Sequence, residues 1–455
     1  MIKLVVEELS GAEALSSLAP EWRALFALSN ASPFLSWEWI SAWHKWLGRG
    51  KHPRLFCARE GGLLVGLLAL GEEERRLKGT PARVRRISFL GEEFGGSDYL
   101  DVLALPGYEQ ECANVLFSHI AERVEFDILE LDGLPCDSPS APWLALRFGS
   151  DTNFRYRLEP RYVCPQVRLD KPWEELRRSF SRATYLTRSL RRLRKLPGFD
   201  HRVVTDPDQA GPAFERFLAL HESSWAGRGG SSATGRQSLK DFHRDVVARL
   251  ARAGRLRFEE IWIEGACRAS LYGISGVDRR YYYYLSGYDP AWAKYSLGGA
   301  VIGLSIAGAV ERGVEFYDLL RGAEPYKFGW ANEARATFAV QVTSDSLPAR
   351  LSVMCDRVED AARAAAHALL PARALALWRR RRQAQMRQSM LDADGEGFSE
   401  NEGKDRDKTV ELVSSVLLSL ICLWQSGRNS AEVLSPFIFH LSLPEMRHST
   451  MTNEK

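Results

Sequence analysis

Tyr281-Tyr-Tyr-Tyr-Leu-Ser-Gly-Tyr-Asp-Pro290, Ser296-Leu-Gly-Gly299, Phe316-Tyr-Asp-Leu-Leu320 and Tyr326-Lys-Phe-Gly-Trp330 are the four pieces of the stretch whose reading decides the fold. Consecutive aromatics favour a strand, whose side chains alternate between its two faces. Gly287-Tyr-Asp-Pro290 then reads as a turn, and Ser296-Leu-Gly-Gly299 as the start of a helix of small residues reaching Arg312. A second strand follows, carrying one acid, Asp318. A helix N-terminus presents amides with no intrahelical partner and a partial positive charge, and glycine lets a ligand approach closely, so this layout suits a phosphate.

The same order of elements recurs upstream. Around Gly265-Ala266 the sequence predicts a hairpin of Leu256 to Glu264 with Arg268 to Val277, leading into the tyrosine strand. In the first half a hairpin of Arg54 to Glu60 with Leu63 to Glu72 turns at Gly61-Gly62. A strand from Arg83 to Leu90, a glycine-rich loop from Gly91 to Asp98, a further strand from Tyr99 to Ala104, a helix from Tyr108 to Arg123 and a strand from Phe126 to Leu131 follow. Hairpin, strand, helix, strand thus occurs twice. The expected fold class is α/β (α+β), with two tandem domains, each a mixed, mainly antiparallel sheet flanked by helices. The expected boundaries are 1–165 and 166–345, then an Ala/Arg-rich helical segment at 346–388 and an irregular extension at 389–455.

Composition agrees with a folded chain of at least two domains: 455 residues, 45% hydrophobic. A formal charge of +3 is too mild to imply DNA binding. The seven cysteines form no C-x-x-C pair, so neither a zinc site nor a disulfide framework is expected, and no metal is called for. The start of the chain alternates like a strand and soon meets acids, unlike a signal peptide, and a cytoplasmic location is expected. The apolar run Val410 to Trp424 is shorter than the roughly 20 residues that span a bilayer. It is read as a buried or interfacial helix, leaving room for peripheral membrane association.

Between the halves, Trp173 to Leu196 spaces Leu176, Phe180, Leu186, Leu190 and Leu193 by helical turns among eight basic residues that include Arg188, Arg191 and Arg192. A single amphipathic helix with a basic face is predicted, suited either to solvent or to phosphates. Trp39, Trp43 and Trp46 likewise mark the buried face of a helix.

Acyl transfer to an amine needs a phosphate cradle, donors for an oxyanion, a base for the amine and an acid for the leaving group. Ser296, Leu297, Gly298 and Gly299 are candidates for the cradle. Asp318, mid-strand in apolar surroundings, is a candidate base or amine orienter, and equally a structural carboxylate. Tyr326 is a candidate acid; Lys327, Tyr282, Tyr284, Trp225 and Arg188 are candidates for substrate contacts. His221 and the loop Ala226 to Ser232 are weighed as a base and a lid against plain structural roles. No P-loop, G-x-S-x-G, H-E-x-x-H or Rossmann glycine pattern is present, which argues against nucleotide hydrolysis, serine hydrolysis, zinc proteolysis and hydride transfer.

Gly287-Tyr288-Asp289, Ser296-Leu297-Gly298, Tyr317-Asp318, Gly322 and Tyr326-Lys327 together resemble the closing motif of the CelD/BcsL-like acetyltransferases, a branch of the GNAT superfamily related to the FemAB peptidyltransferases. Leu297 stands where that family commonly has proline. The resemblance covers about Pro172 to Val342 and extends more loosely over the first half. It implies a tandem GNAT fold with acetyl-CoA, or another acyl-CoA, as co-substrate. The implied acceptor is an amine-bearing small molecule, sugar or envelope precursor, often in cellulose or exopolysaccharide synthesis, with a polysaccharide synthase as a possible associate. Two alternatives accompany it: an aminoacyltransferase using aminoacyl-tRNA, which the arginines of the opening helix would suit, and a non-catalytic scaffold.

Overall fold

The computed structural model describes residues 4–77, 82–92, 95–226 and 231–355. Expectations for 389–455, for most of the Ala/Arg-rich segment at 346–388 and for most of the glycine loop 226–232 lie outside the described residues. The first half runs β1 (Val5–Ser10), α1 (Ala12–Ser17), α2 (Ala19–Leu28), α3 (Trp37–Trp46), β2 (His52–Glu60), β3 (Leu63–Arg76), β4 (Arg83–Phe89), β5 (Leu103–Ala104), α4 (Glu109–Arg123), β6 (Ile128–Pro135), α5 (Ala141–Phe148) and β7 (Phe154–Arg168). The second runs α6 (Trp173–Ser179), α7 (Ala183–Leu193), β8 (Asp200–Val204), α8 (Pro207–Trp225), α9 (Gln237–Arg252), β9 (Leu256–Ile263), β10 (Ala266–Ser275), β11 (Arg280–Tyr288), α10 (Leu297–Glu311), β12 (Phe316–Asp318), α11 (Pro325–Phe328) and β13 (Glu333–Ser344).

One 13-stranded sheet joins the halves in the order β1-β2-β3-β4-β6-β13-β7-β12-β11-β10-β9-β8, with β5 beside β3. Each half is an antiparallel set ending in one parallel pair, β4 with β6 and β11 with β12. The expected α/β class, a mixed and mainly antiparallel sheet flanked by helices in each half, is thus present, with the two halves joined in one continuous sheet. Its seam is exchanged: β13, from the end of the chain, completes the first half against β6, and β7, from the first half, pairs with β12. β7 also runs across the expected boundary at 165/166.

Two apolar cores form on this sheet. The larger gathers α2, α3 and α4 of the first half with the faces of α8 and α9; the smaller packs α6, α7 and α10 on Tyr281, Tyr283 and Tyr317. Trp39 and Trp43 are fully buried as their spacing predicts, while Trp46 reaches Asp245 on α9 with its indole nitrogen at 2.9 Å.

Three expectations are corrected. The basic helix is two helices, because extended Phe180 breaks it and inserts its ring 5.3 Å from that of Trp330. The strand expected at Tyr99 to Ala104 shrinks to Leu103–Ala104, since Tyr99 has a φ of 58°. The strand expected over Phe316 to Leu320 ends at Asp318. Strands β7, β8 and β13 and helices α5 and α9 are additions that the sequence pattern had not marked.

Close packing of α8 on β11 occurs at Gly287, where a Cβ would overlap the backbone of His221. Gly287→Ala is therefore expected to cost at least about 1–3 kcal/mol of stability, the usual penalty of overpacking. Urea denaturation checks this; an unchanged midpoint would contradict the packing.

Candidate active site

The parallel pairing of β11 and β12 covers only Arg280 to Tyr282 against Phe316 to Asp318. Beyond it β11 continues to Tyr288, paired among the described residues with no strand but β10, so no strand covers its other edge. The pairing stops for a local reason. The Asp318 carboxylate accepts the amide of Leu320 at 2.8 Å, an Asx-type turn that diverts the chain. Leu320 takes a φ of 57° and Gly322 one of 121°, and the amides of Leu319 and Gly322 bond instead to Pro165 and Val163 of β7. Lys327 closes the turn, its ammonium donating to the carbonyls of Arg321 at 2.5 Å and Leu320 at 3.5 Å and pairing with Glu324 at 3.0 Å.

The register of β10 against β11 shifts between Leu285 and Tyr283, leaving Tyr284 as a bulge. Tyr281 and Tyr283 face α10 and Tyr282 and Tyr284 the larger core, as alternation predicts, and the bulge then turns Leu285 to the same side as Tyr284. On the α10 side the Tyr283 hydroxyl lies 2.6 Å from Ser286 Oγ and 3.5 Å from the Tyr326 hydroxyl. Burial, the leading cause, raises the pKa of both phenols and keeps them protonated.

Helix α10 starts beside this open edge. Ser296, its N-cap, has a φ of 60° and makes no side-chain capping bond. The first backbone bond at this helix start comes from Ala300 to Ser296 at 3.0 Å. The amides of Leu297, Gly298 and Gly299 precede it, with Leu297 buried and both glycines half-buried. Helix α7 lies against the same end: Tyr185 bonds to Ser296, Ser189 donates to the Tyr295 carbonyl at 2.5 Å, and Arg192 donates to the Lys294 carbonyl at 3.2 Å. Arg188 and Arg191 on α7 are exposed and make no ion pair with any described residue.

Not every candidate converges here. Ser296 to Gly299, Tyr326 and Arg188 belong to this neighbourhood. Asp318 points to the opposite face, wholly buried, and accepts the hydroxyl of Tyr99 from the first half at 2.9 Å. It touches no open surface, so its geometry is that of a turn former and a bridge between the halves. Burial raises its carboxyl to about 6. Lys327, expected to meet an anion, is buried and spent on backbone carbonyls and Glu324. Tyr282 is fully buried and donates to Asp278 at 2.5 Å, and Tyr284 donates to the Gly95 carbonyl, so neither lines the cleft expected of them. Trp225 ends α8, its ring 6.2 Å from that of His221. His221 is buried, its Nδ1 2.7 Å from the Ser286 carbonyl and its Nε2 2.8 Å from Ser231 Oγ, and burial lowers its pKa. That makes it a neutral clamp on β11. Tyr283, Ser286 and Tyr185 were not singled out by the sequence; only the strand's alternation, read through the bulge, points to the first two. Among the described residues no group of His, Cys, Asp and Glu forms a metal site, and no helix is long and apolar enough to cross a membrane.

The stretch of chain that holds these residues also matches a known family. Residues 181–328 match the family described as Acetyltransferase (GNAT) domain. This segment, which holds β11, α10, β12 and Tyr326, thus carries an acyltransferase domain of the GNAT class. No curated protein matches the chain. Among solved structures it is similar to FemX, at 13% identity over 71% of this chain and 95% of that one, with a TM-score of 0.49. It is also similar to the C-terminal domain of a putative lysylphosphatidylglycerol synthetase from Agrobacterium fabrum, at 12% identity over 76% and 97%, TM-score 0.47. A tandem GNAT protein from the clavulanic acid biosynthesis pathway gives 14% identity over 74% and 98%, TM-score 0.38.

The raised carboxyl of Asp318 gives a pH test. Its neutral form favours the fold; that contribution is full below pH 4 and lost as pH rises through about 6. Asp318→Asn removes the loss, so the stability of the variant relative to the parent should improve by about 3 kcal/mol between pH 4 and 7. Chemical denaturation across that range checks it, and a flat difference would contradict it.

Proposed function

We propose that this chain transfers an acyl group from acyl-CoA, with acetyl-CoA the first donor to test, to the amine of a small molecule, sugar or envelope precursor. The observation that carries the reading is the open edge of β11 lying beside a helix start whose amides precede the first helical bond. The amides of Leu297, Gly298 and Gly299 suit a pyrophosphate, and Arg188 and Arg191 add positive charge on the same side. The free edge of β11 offers peptide groups to the amides of an extended donor arm.

Chemistry would then fall near Tyr283, Ser286 and Tyr326. The acceptor nitrogen forms a bond to the thioester carbonyl carbon, the carbon–sulfur bond breaks, and the departing thiolate takes a proton. Tyr326, held protonated by burial, is the group assigned to supply that proton, and the amine loses its own to solvent or a base on the acceptor side. Asp318 and Lys327 serve by shaping the turn that opens the strand edge.

Thiol release from acetyl-CoA with a panel of amines tests this directly. Tyr326→Phe is expected to lower kcat about 10–100-fold while acetyl-CoA affinity by calorimetry stays within twofold. Gly299→Glu should abolish that affinity. Absence of both acyl-CoA binding and thiol release would overturn the reading.

The exposed arginines of α7 favour one second reading, an aminoacyl-tRNA donor. It predicts salt-sensitive tRNA binding that is lost when Arg188, Arg191 and Arg192 are neutralised together.

A further inference from the structure

Helix α7 runs past the start of α10, and its contacts give the direction. Arg182, its N-cap, lies across Gly329 at the end of α11, where a Cβ would come within 2.8 Å of the guanidinium Nε. Tyr185 meets Ser296, the N-cap of α10. About one turn on, Ser189 holds the Tyr295 carbonyl at 2.5 Å, and after a further turn Arg192 holds that of Lys294 at 3.2 Å. With a rise of about 1.5 Å per residue, Arg188 stands about 4.5 Å and Arg192 about 10 Å beyond Tyr185 along the axis. The helix therefore leads from the end of α11, past the amides of Leu297 to Gly299, to the segment Pro290–Tyr295 that precedes α10.

That segment is a 3-10 helix of six residues, none of them buried, and it carries Trp292 and Tyr295. Their rings lie 5.4 Å apart at 33°. Cations gather on them: Arg192 lies 5.2 Å and Lys294 5.1 Å from the centre of the Tyr295 ring, and Arg268 lies 5.2 Å from that of Trp292. The charge left over is positive. Asp289, the acid of this turn, is taken by Arg268 at 3.0 Å and by the Ala291 amide at 3.0 Å. From Leu176 to Phe199 the chain has eight basic residues and no acid. Arg188, Arg192 and Lys294 are exposed, and none of them makes an ion pair with a described residue. Aromatic rings beside unpaired cations suit a nucleotide, because a base stacks on the rings and a phosphate takes the charge-assisted hydrogen bonds.

We infer that α7 and this turn seat the nucleotide end of the acyl donor, with Arg188, Arg192 and Lys294 on its phosphomonoester and Trp292 and Tyr295 against its purine. The inference rests on the acyl-CoA reading above and adds a discrimination to it. CoA carries a phosphomonoester on its ribose, apart from the pyrophosphate; dephospho-CoA and phosphopantetheine have the same thiol arm without it. Such a group bears close to two negative charges and three acceptor oxygens, so it gains most from several cations converging on one place. Arg192 is already held by a carbonyl and a ring, which leaves less freedom to lose when the ligand arrives. The grip is through side chains, beyond the backbone amides that suit the pyrophosphate.

Calorimetric titration of the full chain with CoA, 3′-dephospho-CoA and phosphopantetheine is the test. CoA should bind at least tenfold more tightly than dephospho-CoA, and dephospho-CoA severalfold more tightly than phosphopantetheine. Arg188→Gln combined with Lys294→Gln should bring CoA down to the level of dephospho-CoA and leave dephospho-CoA within twofold. The melting temperature should not change, since both side chains are exposed and unpaired. Trp292→Ala should instead narrow the gap between dephospho-CoA and phosphopantetheine. Equal affinity for CoA and dephospho-CoA in the parent, or a preference untouched in the double variant, would overturn the seat and leave the acyl-CoA reading in place. Failure of all three ligands to bind overturns both. Loss of tRNA binding in the double variant with CoA binding unmoved would give these cations to RNA and overturn the seat as well.

Discussion

Two parallel strands part after Tyr282 and Asp318, and the rest of the candidate site depends on that parting. It is driven locally. A carboxylate that accepts the amide two residues on, a leucine and a glycine in left-handed conformations, and a lysine on the freed carbonyls together turn the chain from β11 toward β7. Gly322 is needed there because a side chain would run into Glu324 and Lys327 as well as adopt an unfavourable φ. The open edge of β11 is the consequence, and α10 begins beside it.

The acid, glycine and lysine of the closing motif thus acquire a scaffold meaning. Residues that look catalytic by type, a lone buried aspartate and a lysine beside a tyrosine, spend their polar atoms on the backbone. Tyr99 adds the longer link, since its hydroxyl ties Asp318 to the first half. The exchanged strands β7 and β13 add another, because each half completes its sheet with a strand on the far side of the seam. The turn and the union of the halves are therefore coupled through one carboxylate.

Much of this was legible in the sequence. The twofold recurrence of hairpin, strand, helix and strand foretold the tandem architecture, because alternation and glycine turns are local signals. The additions were those whose partners are remote. β7 carries Pro160 and Pro165, which argue against an interior strand, yet it lies between β12 and β13 because its pairing slips along its length. Alternation put Tyr282 and Tyr284 together on one face, where they are, but nothing local tells that this face is packed against the larger core rather than a cleft; the bulge at Tyr284, which turns Leu285 to the same side, leaves no mark in a run of tyrosines. Lys327 misled for a different reason: its partners are carbonyls three-dimensionally close, and a carbonyl leaves no mark in a sequence.

Hydrogen exchange of the backbone, followed by mass spectrometry with and without acetyl-CoA, tests the central claim most directly. The account predicts new protection confined to residues 283–288 and 297–299, where an open strand edge faces a helix start. Protection that appears elsewhere while both segments exchange unchanged would contradict it.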